Sequence, residues 1–162
     1  MKIYTDGSFN RKISSNTTAY AAVIITNESD VEYIVDILYG VILDKDYTSM
    51  WNVGGEIWGV LAGIDYAVNT YNPSDITIYH DYIGLSKWVS GEWKAKNPTT
   101  SSYSRYVKAK KNERIIRFIK VDGHSNNLLN DLADTYANKG TENYLSTGKM
   151  STLITGLHIP KR

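Results

Sequence analysis

The apolar residues of this chain change their spacing after the first 50 positions, and that change limits the folds open to it. Before that point, three runs rich in Val, Ile, Tyr and Ala are separated by polar turns and predict strands at 2–4, 20–25 and 33–43. From Trp51 to Tyr71 the apolar residues recur every three or four positions, which predicts an amphipathic helix ended by Asn72-Pro73. Three strands followed by a long helix predict an antiparallel meander with a helix packed on it.

The rest of the chain alternates between the two patterns. We expect a strand at 76–79, helical segments at 83–93 and 101–110, a strand at 115–121 and a helix at 127–138. Gly91 predicts a break in the first of these helical segments, and Gly40 a bend or bulge in the third strand. This order predicts an α/β fold with a mixed five-stranded sheet, three antiparallel strands and then two parallel ones, flanked by helices.

Length and composition indicate one domain. The 162 residues are 42% apolar, and 18 basic residues nearly balance 17 acidic ones, which excludes wholesale disorder. The absence of cysteine excludes disulfide-linked partners and thiolate metal sites and is typical of a cytoplasmic protein. No signal-peptide or membrane-spanning stretch is present. The apolar residues Leu153, Ile154, Leu157 and Ile159 either pack as a final element of the same domain or dock a partner.

Charge is distributed unevenly along the chain. Residues 1–86 contain 4 basic and 11 acidic side chains, residues 87–120 contain 10 and 2, and residues 121–162 contain 4 of each. The acidic part is suited to a local task such as holding metal, and the basic stretch to contact with a polyanion. The alternative is that the basic stretch is a solvated helical face.

Acidic side chains follow two predicted strands and lie near the start of the long helix. Asp6 follows the first strand, Asp81 follows the fourth, and Glu56 lies in the helix. Ligands of open α/β sheets bind at the carboxyl ends of strands. Gly54 and Gly55 precede Glu56 where a helix favours alanine, which indicates that another group approaches the backbone closely. Glu56 is therefore either a site residue or an ordinary exposed glutamate.

Further candidates lie near the carboxyl end of the chain. His124 follows a predicted strand, and Asp134 lies ten residues later in the last predicted helix. Asp131 precedes Asp134 by three positions and so lies on a similar face of that helix. Taken singly, these are turn residues or helix caps, but together with the three carboxylates they indicate a shared site.

These segments resemble the type 1 ribonuclease H family over residues 1–140. The resemblance is carried by Ile3-Tyr4-Thr5-Asp6-Gly7-Ser8, Asn52-Val53-Gly54-Gly55-Glu56, Ile78-Tyr79-His80-Asp81-Tyr82, Val121-Asp122-Gly123-His124-Ser125, Asn130 and Ala133-Asp134-Thr135-Tyr136-Ala137. Gly84-Leu85-Ser86-Lys87-Trp88 and the segment at 91–96 resemble members that often carry an amino-terminal hybrid-binding module, which we do not expect here. Residues 141–162 lie beyond the resemblance, as a carboxyl-terminal extension packed on the same domain.

The resemblance implies hydrolysis of the RNA strand of RNA/DNA hybrids, leaving 3′-hydroxyl and 5′-phosphate ends. Two Mg²⁺ ions, or Mn²⁺ as the alternative, suit oxygen ligands and this chemistry. By the resemblance, Asp6 bridges both ions, Glu56 and Asp81 complete the shell of one, and Asp134 binds the other. His124 would assist proton movement or product departure. Asp134 is favoured over Asp131 because its spacing from His124 matches the family.

Substrate contacts are also implied by the resemblance. Gly7, Ser8 and Asn52 resemble positions that contact the RNA strand, with Asn10 and Asn16 as weaker candidates. One segment of this chain resembles the family's substrate-handling helix. It contains Lys87, Trp88, Trp93, Lys94 and Lys96. The alternative is that both tryptophans are core anchors and the lysines are merely solvated.

The expected partner is an RNA/DNA hybrid. We expect the protein to act as a monomer and to have no membrane partner. Two other functions are compatible with the sequence. One is a nuclease of the same fold that acts on DNA or on junctions. The other is a non-catalytic hybrid-binding module, against which the intact carboxylates argue.

Overall fold

The first strand lies at the centre of the sheet. In the computed structural model, which describes residues 1–123 and 126–161, β1 (Lys2–Ser8) pairs antiparallel with β2 (Thr18–Glu28) and parallel with β4 (Asp75–His80). β3 (Val31–Ile42) extends the antiparallel half and β5 (Ile115–Lys120) the parallel half. The predicted arrangement of three antiparallel strands followed by two parallel ones is confirmed.

Helices cover both faces of this sheet. They are α1 (Lys45–Thr48), α2 (Asn52–Tyr71), α3 (Gly84–Ser90), α4 (Pro98–Lys111) and α5 (Leu128–Thr147). α2 packs on β1 and β2, and α3 and α4 contribute to the same core on that face. α5 packs on the opposite face against β1, β2 and β3. No helix in the described part of the chain has the length and apolarity needed to cross a membrane.

β2 is buried on both faces, which explains its unbroken apolar sequence. Ala22 and Ile24 face the core under α2, whereas Val23 and Ile25 face the core under α5. None of these four side chains is more than 1% exposed. A strand that is covered on both faces shows no alternation of apolar and polar residues, because the side chains on both faces lie in a core.

Two details of the strand predictions are wrong. β1 continues to Ser8, so Asp6 lies within the strand, opposite Ala21, and does not follow it. The register shift between β2 and β3 occurs at Ile24/Ile25 and not at Gly40. A Cβ atom on Gly40 would lie 2.1 Å from the carbonyl oxygen of Met150, so this glycine admits the chain that follows α5.

The carboxyl-terminal segment adds two strands that the sequence did not predict. β6 (Ser151–Ile154) and β7 (Ile159–Pro160) both pair antiparallel with β3, giving seven strands in all among the described residues. α5 extends to Thr147, well past the predicted end at 138. Gly140 lies within this extension and meets Gly40, because a Cβ atom there would lie 2.5 Å from the Gly40 carbonyl oxygen. Packing against β3 therefore sustains a helix whose own sequence is polar and contains glycine.

Candidate active site

Three carboxylates converge where β1, β4 and α2 meet. Asp6 lies in β1, Asp81 follows the last residue of β4, and Glu56 lies in the second turn of α2. Each side chain offers one oxygen atom, and these oxygens all lie within 4.8 Å of one another. Asp6 and Glu56 are buried, at 4% and 3% exposed, and Asp81 is half-buried. β1 and β4 are adjacent and parallel, so Asp6 and Asp81 lie together at the carboxyl ends of these strands.

Glycines allow α2 to approach the strands this closely. A Cβ atom on Gly7 would lie 2.3 Å from the backbone nitrogen of Glu56, and one on Gly55 would lie 2.2 Å from the carbonyl oxygen of Ala19. A Cβ atom on Gly54 would lie 2.0 Å from the carbonyl oxygen of Tyr47, in α1. The close approach that the sequence indicated is therefore made by backbone from β1, β2 and α1.

The cluster is electrostatically unfavourable when it is fully ionised. Burial raises the pKa of Asp6 to about 7, and the charge of Asp81 adds to the rise. Burial also raises the pKa of Glu56 well above its ordinary value, with the charge of Asp6 as the next cause. The Gly7 backbone N–H donates a 2.9 Å hydrogen bond to Asp6 Oδ1 and opposes the shift. Neutral pH therefore leaves this group of acids partly protonated unless a cation binds.

The carboxylates line a cavity of about 330 Å³ that α5 closes on one side. Both Asp131 and Asp134 line this cavity, and Asp134 is the more buried of the two. The Asp134 side chain is also a minor cause of the raised pKa of Asp6. Asp134 is not among the three residues whose oxygens lie within 4.8 Å of one another, and the preference for Asp134 over Asp131 stays a prediction.

Two buried oxygen atoms in this cavity lack a hydrogen-bond partner among the described residues. They are Glu56 Oε2 and Asn130 Oδ1. Burying a polar oxygen without a partner is unfavourable by about 1–3 kcal/mol. A hard divalent cation fits this donor set, because carboxylate and amide oxygens are its preferred ligands.

Of the residues predicted to contact the RNA strand, two line the cavity, whereas Ser8, Asn10 and Asn16 do not. Gly7 and Asn52 line it, and Asn52 is exposed at the first position of α2. Ser8, at the end of β1, donates a 2.6 Å hydrogen bond to Asn138 Oδ1 of α5. Asn10 and Asn16 lie exposed in the connection from β1 to β2.

The basic segment after α3 divides into core and surface residues. Trp88 is 9% exposed and packs in the core under α2, which favours its alternative interpretation as an anchor. Trp93 is 38% exposed, and Lys94 and Lys96 are exposed beside it. Lys87 Nζ lies 2.5 Å from Glu92 Oε2, so its charge already has a partner.

Two cavity residues were not among the predicted site residues. Tyr82 lines the cavity and makes an edge contact with Trp93, with the ring centroids 6.3 Å apart, so it joins the carboxylates to the basic segment. Asn130 is 4% exposed and lies one helical turn before Asp134. Tyr82 and Asn130 both belong to the segments that resemble the family, but no role was assigned to either of them. His124 lies outside the described residues.

A family model for RNase H matches residues 1–142. The chain belongs to the RNase H family. This confirms the resemblance read from the sequence. No curated protein sequence matches the chain at a significant level.

Solved RNase H structures share the fold at low identity. An RNase H1 from the halophilic archaeon Halobacterium salinarum superposes with a TM-score of 0.69 at 18% identity, over 88% of this chain and 97% of that one. The amino-terminal RNase H domain of a Mycobacterium tuberculosis protein gives 0.67 at 21%, over 91% and 99%. LC11-RNase H1, isolated from compost by a metagenomic approach and solved with an RNA/DNA hybrid, gives 0.67 at 17%, over 89% and 98%.

Proposed function

We propose that this RNase H domain hydrolyses the RNA strand of RNA/DNA hybrids, leaving 3′-hydroxyl and 5′-phosphate ends. The observation that carries the proposal is the cluster of Asp6, Glu56 and Asp81, whose oxygens lie within 4.8 Å in an open cavity of an RNase H family member. The similar fold of LC11-RNase H1, which was solved with such a hybrid, supports the choice of substrate.

The proposed cofactor is a pair of Mg²⁺ ions, with Mn²⁺ as the alternative. Asp6, Glu56 and Asp81 would hold one ion, and Asp6 with Asp134 the other. The unpartnered Glu56 Oε2 supports this assignment, since a cation would satisfy it. Bound divalent ions supply two effects in phosphodiester hydrolysis, a more acidic water and neutralisation of charge on the phosphate.

The protein's own groups orient the substrate and manage protons. The scissile phosphate would enter the cavity between Gly7, Asn52 and Asp134, which line it. Asn52 and the backbone at Gly7 would contact the RNA strand. Ser8 would also contact it, after breaking its hydrogen bond to Asn138. Recognition of the 2′-hydroxyl separates RNA from DNA. His124 keeps its predicted role in proton movement or product departure.

The exposed part of the basic segment would bind phosphates at a distance from the cavity. Trp93, Lys94 and Lys96 are exposed there, and Tyr82 connects them to the carboxylates. Lys87 contributes less, because Glu92 already pairs with it. Trp88 supports this segment from the core.

Residues 141–162 would form part of the same domain. β6 and β7 hydrogen-bond to β3, and the Thr155 hydroxyl donates a 2.7 Å hydrogen bond to the buried carboxylate of Asp36. Deleting residues 148–162 should lower the melting temperature and keep a single unfolding transition. A separate low-temperature transition in the full chain would contradict this assignment. The monomeric state and cytoplasmic location stay predictions of the sequence.

The proposal is tested with end-labelled duplexes in Mg²⁺ and in chelator. The set comprises an RNA/DNA hybrid, double-stranded DNA, double-stranded RNA and DNA with a single ribonucleotide. Metal-dependent cutting of only the RNA strand of the hybrid is expected. Cutting of DNA would favour the alternative nuclease, and hybrid binding without cutting would favour the non-catalytic module.

A further inference from the structure

His80 is a buried polar residue at the end of β4, directly before Asp81. Alternate residues of β4 face the core that α2, α3 and α4 cover, and the other two core positions are the fully buried Ile76 and Ile78. The imidazole of His80, which is 0% exposed, therefore occupies a position where the strand otherwise places isoleucine. A polar ring in such a position is well accommodated only when both of its nitrogen atoms have hydrogen-bond partners.

Only one ring nitrogen of His80 has a partner among the described residues. Nδ1 lies 2.9 Å from the carbonyl oxygen of Tyr82, and it donates this hydrogen bond because a carbonyl oxygen only accepts. Nε2 is buried and has no partner in residues 1–123 and 126–161. The ring also makes an edge contact with Phe118 of β5, with the ring centroids 5.7 Å apart. Burying Nε2 unpaired is unfavourable, so the benefit of a histidine here lies in the bond that Nδ1 makes.

This hydrogen bond spans Asp81. It joins the two residues on either side of Asp81 within the three-residue connection from β4 to α3. The Tyr82 carbonyl also accepts the N–H of Leu85, in the first turn of α3, at 3.2 Å. The His80 carbonyl accepts the N–H of Val121 at 2.7 Å, which holds the connection beside the end of β5. Both neighbours of Asp81 are therefore fixed, one to a strand and one to a helix.

The Asp81 carboxylate depends on this connection more than the other two carboxylates of the cluster do. Asp6 lies within β1 and Glu56 within α2, whereas Asp81 lies in neither a strand nor a helix and is the least buried of the three. A Cβ atom on Gly123 would lie 3.8 Å from Asp81 Oδ2, so the carboxylate lies beside the connection that follows β5. Its direction is set by the backbone that the His80 bond fixes.

We propose that His80 is a positioning residue for Asp81, whose Nδ1 bond to the Tyr82 carbonyl keeps the Asp81 carboxylate directed at Asp6 and Glu56. The inference rests on the proposed function, because it takes Asp81 to be a ligand of a divalent cation. His80 itself would touch neither the cation nor the substrate, since its ring is fully buried in the core. Loss of the bond should therefore weaken cation binding and leave hybrid binding unchanged.

Three variants separate positioning from packing. His80→Leu removes both ring nitrogens and fills the core, so its melting temperature in chelator should stay at or above that of the parent. His80→Asn keeps an N–H near the position of Nδ1 but leaves a cavity, so its melting temperature should fall. Phe118→Leu loosens the packing around the imidazole and leaves the hydrogen bond in place, which makes it the matched packing control.

The first readout is Mg²⁺ binding without substrate, measured by isothermal titration calorimetry. For His80→Leu we expect the Kd for Mg²⁺ to rise about 10- to 100-fold, the usual effect of losing a residue that orients a metal ligand. For His80→Asn and Phe118→Leu we expect a Kd close to that of the parent, although both variants are less stable. A purely structural role would give the reverse order, because His80→Leu is the more stable variant.

The second readout is cleavage of an RNA/DNA hybrid as a function of Mg²⁺ concentration. His80→Leu should need more Mg²⁺ to reach half of its maximal rate and should approach the parent rate at saturation, with equal hybrid binding in chelator. Parent-like Mg²⁺ binding by His80→Leu, or equal weakening in His80→Leu and His80→Asn, would overturn the inference. Mg²⁺ binding by the parent without cleavage would overturn the proposed function alone, and absence of Mg²⁺ binding by the parent would overturn both.

Discussion

Replacing Asp6 by asparagine removes one charge from the carboxylate cluster and nearly preserves the size of the side chain. The three offered oxygens lie within 4.8 Å of one another, and two charges at that distance repel by about 3.5 kcal/mol at an effective dielectric constant near 20. Burial and repulsion together raise the pKa of this carboxyl from 3.8 to about 7, so ionising it destabilises the fold by about 4 kcal/mol, at about 1.4 kcal/mol for each tenfold change in proton affinity. Burial is the largest cause of this pKa rise, so the second value is mostly lost hydration and only partly repulsion, and both effects favour an uncharged side chain.

We therefore expect the Asp6→Asn protein to be more stable than the parent in chelator above pH 7. Part of this gain in the free energy of unfolding is offset, because the buried asparagine amide also needs hydrogen-bond partners. The expected net gain is about 2–4 kcal/mol. For a domain of this size the melting temperature would rise by about 4–15 °C. Mg²⁺ should stabilise the parent and leave the variant nearly unchanged, because binding to the folded state alone raises stability.

Urea or thermal unfolding at pH 8, with chelator and with Mg²⁺, measures both effects. Asp131→Asn is the control, since Asp131 is exposed at the rim of the same cavity. A variant at Asp6 that is less stable than the parent in chelator would refute the repulsion argument. Equal stabilisation of parent and variant by Mg²⁺ would refute the assignment of Asp6 as a ligand.

Three other predictions concern the same site and its surroundings. Asp134→Asn should lower turnover at saturating Mg²⁺ by about 100-fold or more, whereas Asp131→Asn should remain near the parent rate; the reverse result would exchange their roles. Lys94→Ala and Lys96→Ala should each weaken hybrid binding and make the salt slope shallower by about 0.9, and unchanged slopes would exclude phosphate contact by these lysines. The pKa of Asp6 is raised in the folded state, so the folded protein binds more protons than the unfolded one between about pH 4 and 7. In chelator, stability should therefore fall as pH rises through that window, and a rise traced by urea titrations would contradict the pKa direction.

The sequence was most informative where backbone geometry restricts the residue type. The glycines beside Glu56 indicated a close approach, and the structure identifies the approaching groups as strand and helix backbone. The helix ending at Asn72-Pro73 was predictable for a similar reason, because proline cannot continue a helix and Asn72 adopts the left-handed conformation.

Features that depend on distant parts of the chain were not predictable. β6 and β7 are short and form only because the edge of β3 is available to pair with them. α5 continues past the predicted end where it packs on β3, and Gly140 there lies directly against Gly40. The exposed ring of Trp51 was hidden in the same way, since an apolar residue at the start of a helix is ordinarily read as part of its buried face.

The most direct test of the account compares Glu56→Gln with the parent protein under single-turnover conditions on one RNA/DNA hybrid. Glu56 is 3% exposed, belongs to the carboxylate cluster and has an unpartnered Oε2, so the variant keeps shape but removes a charged ligand. We predict metal-dependent cutting of the RNA strand by the parent, about 100-fold or more slower cutting by the variant, and equal hybrid binding in chelator. Parent-like cleavage by Glu56→Gln would contradict the claim that this cluster forms the catalytic metal site.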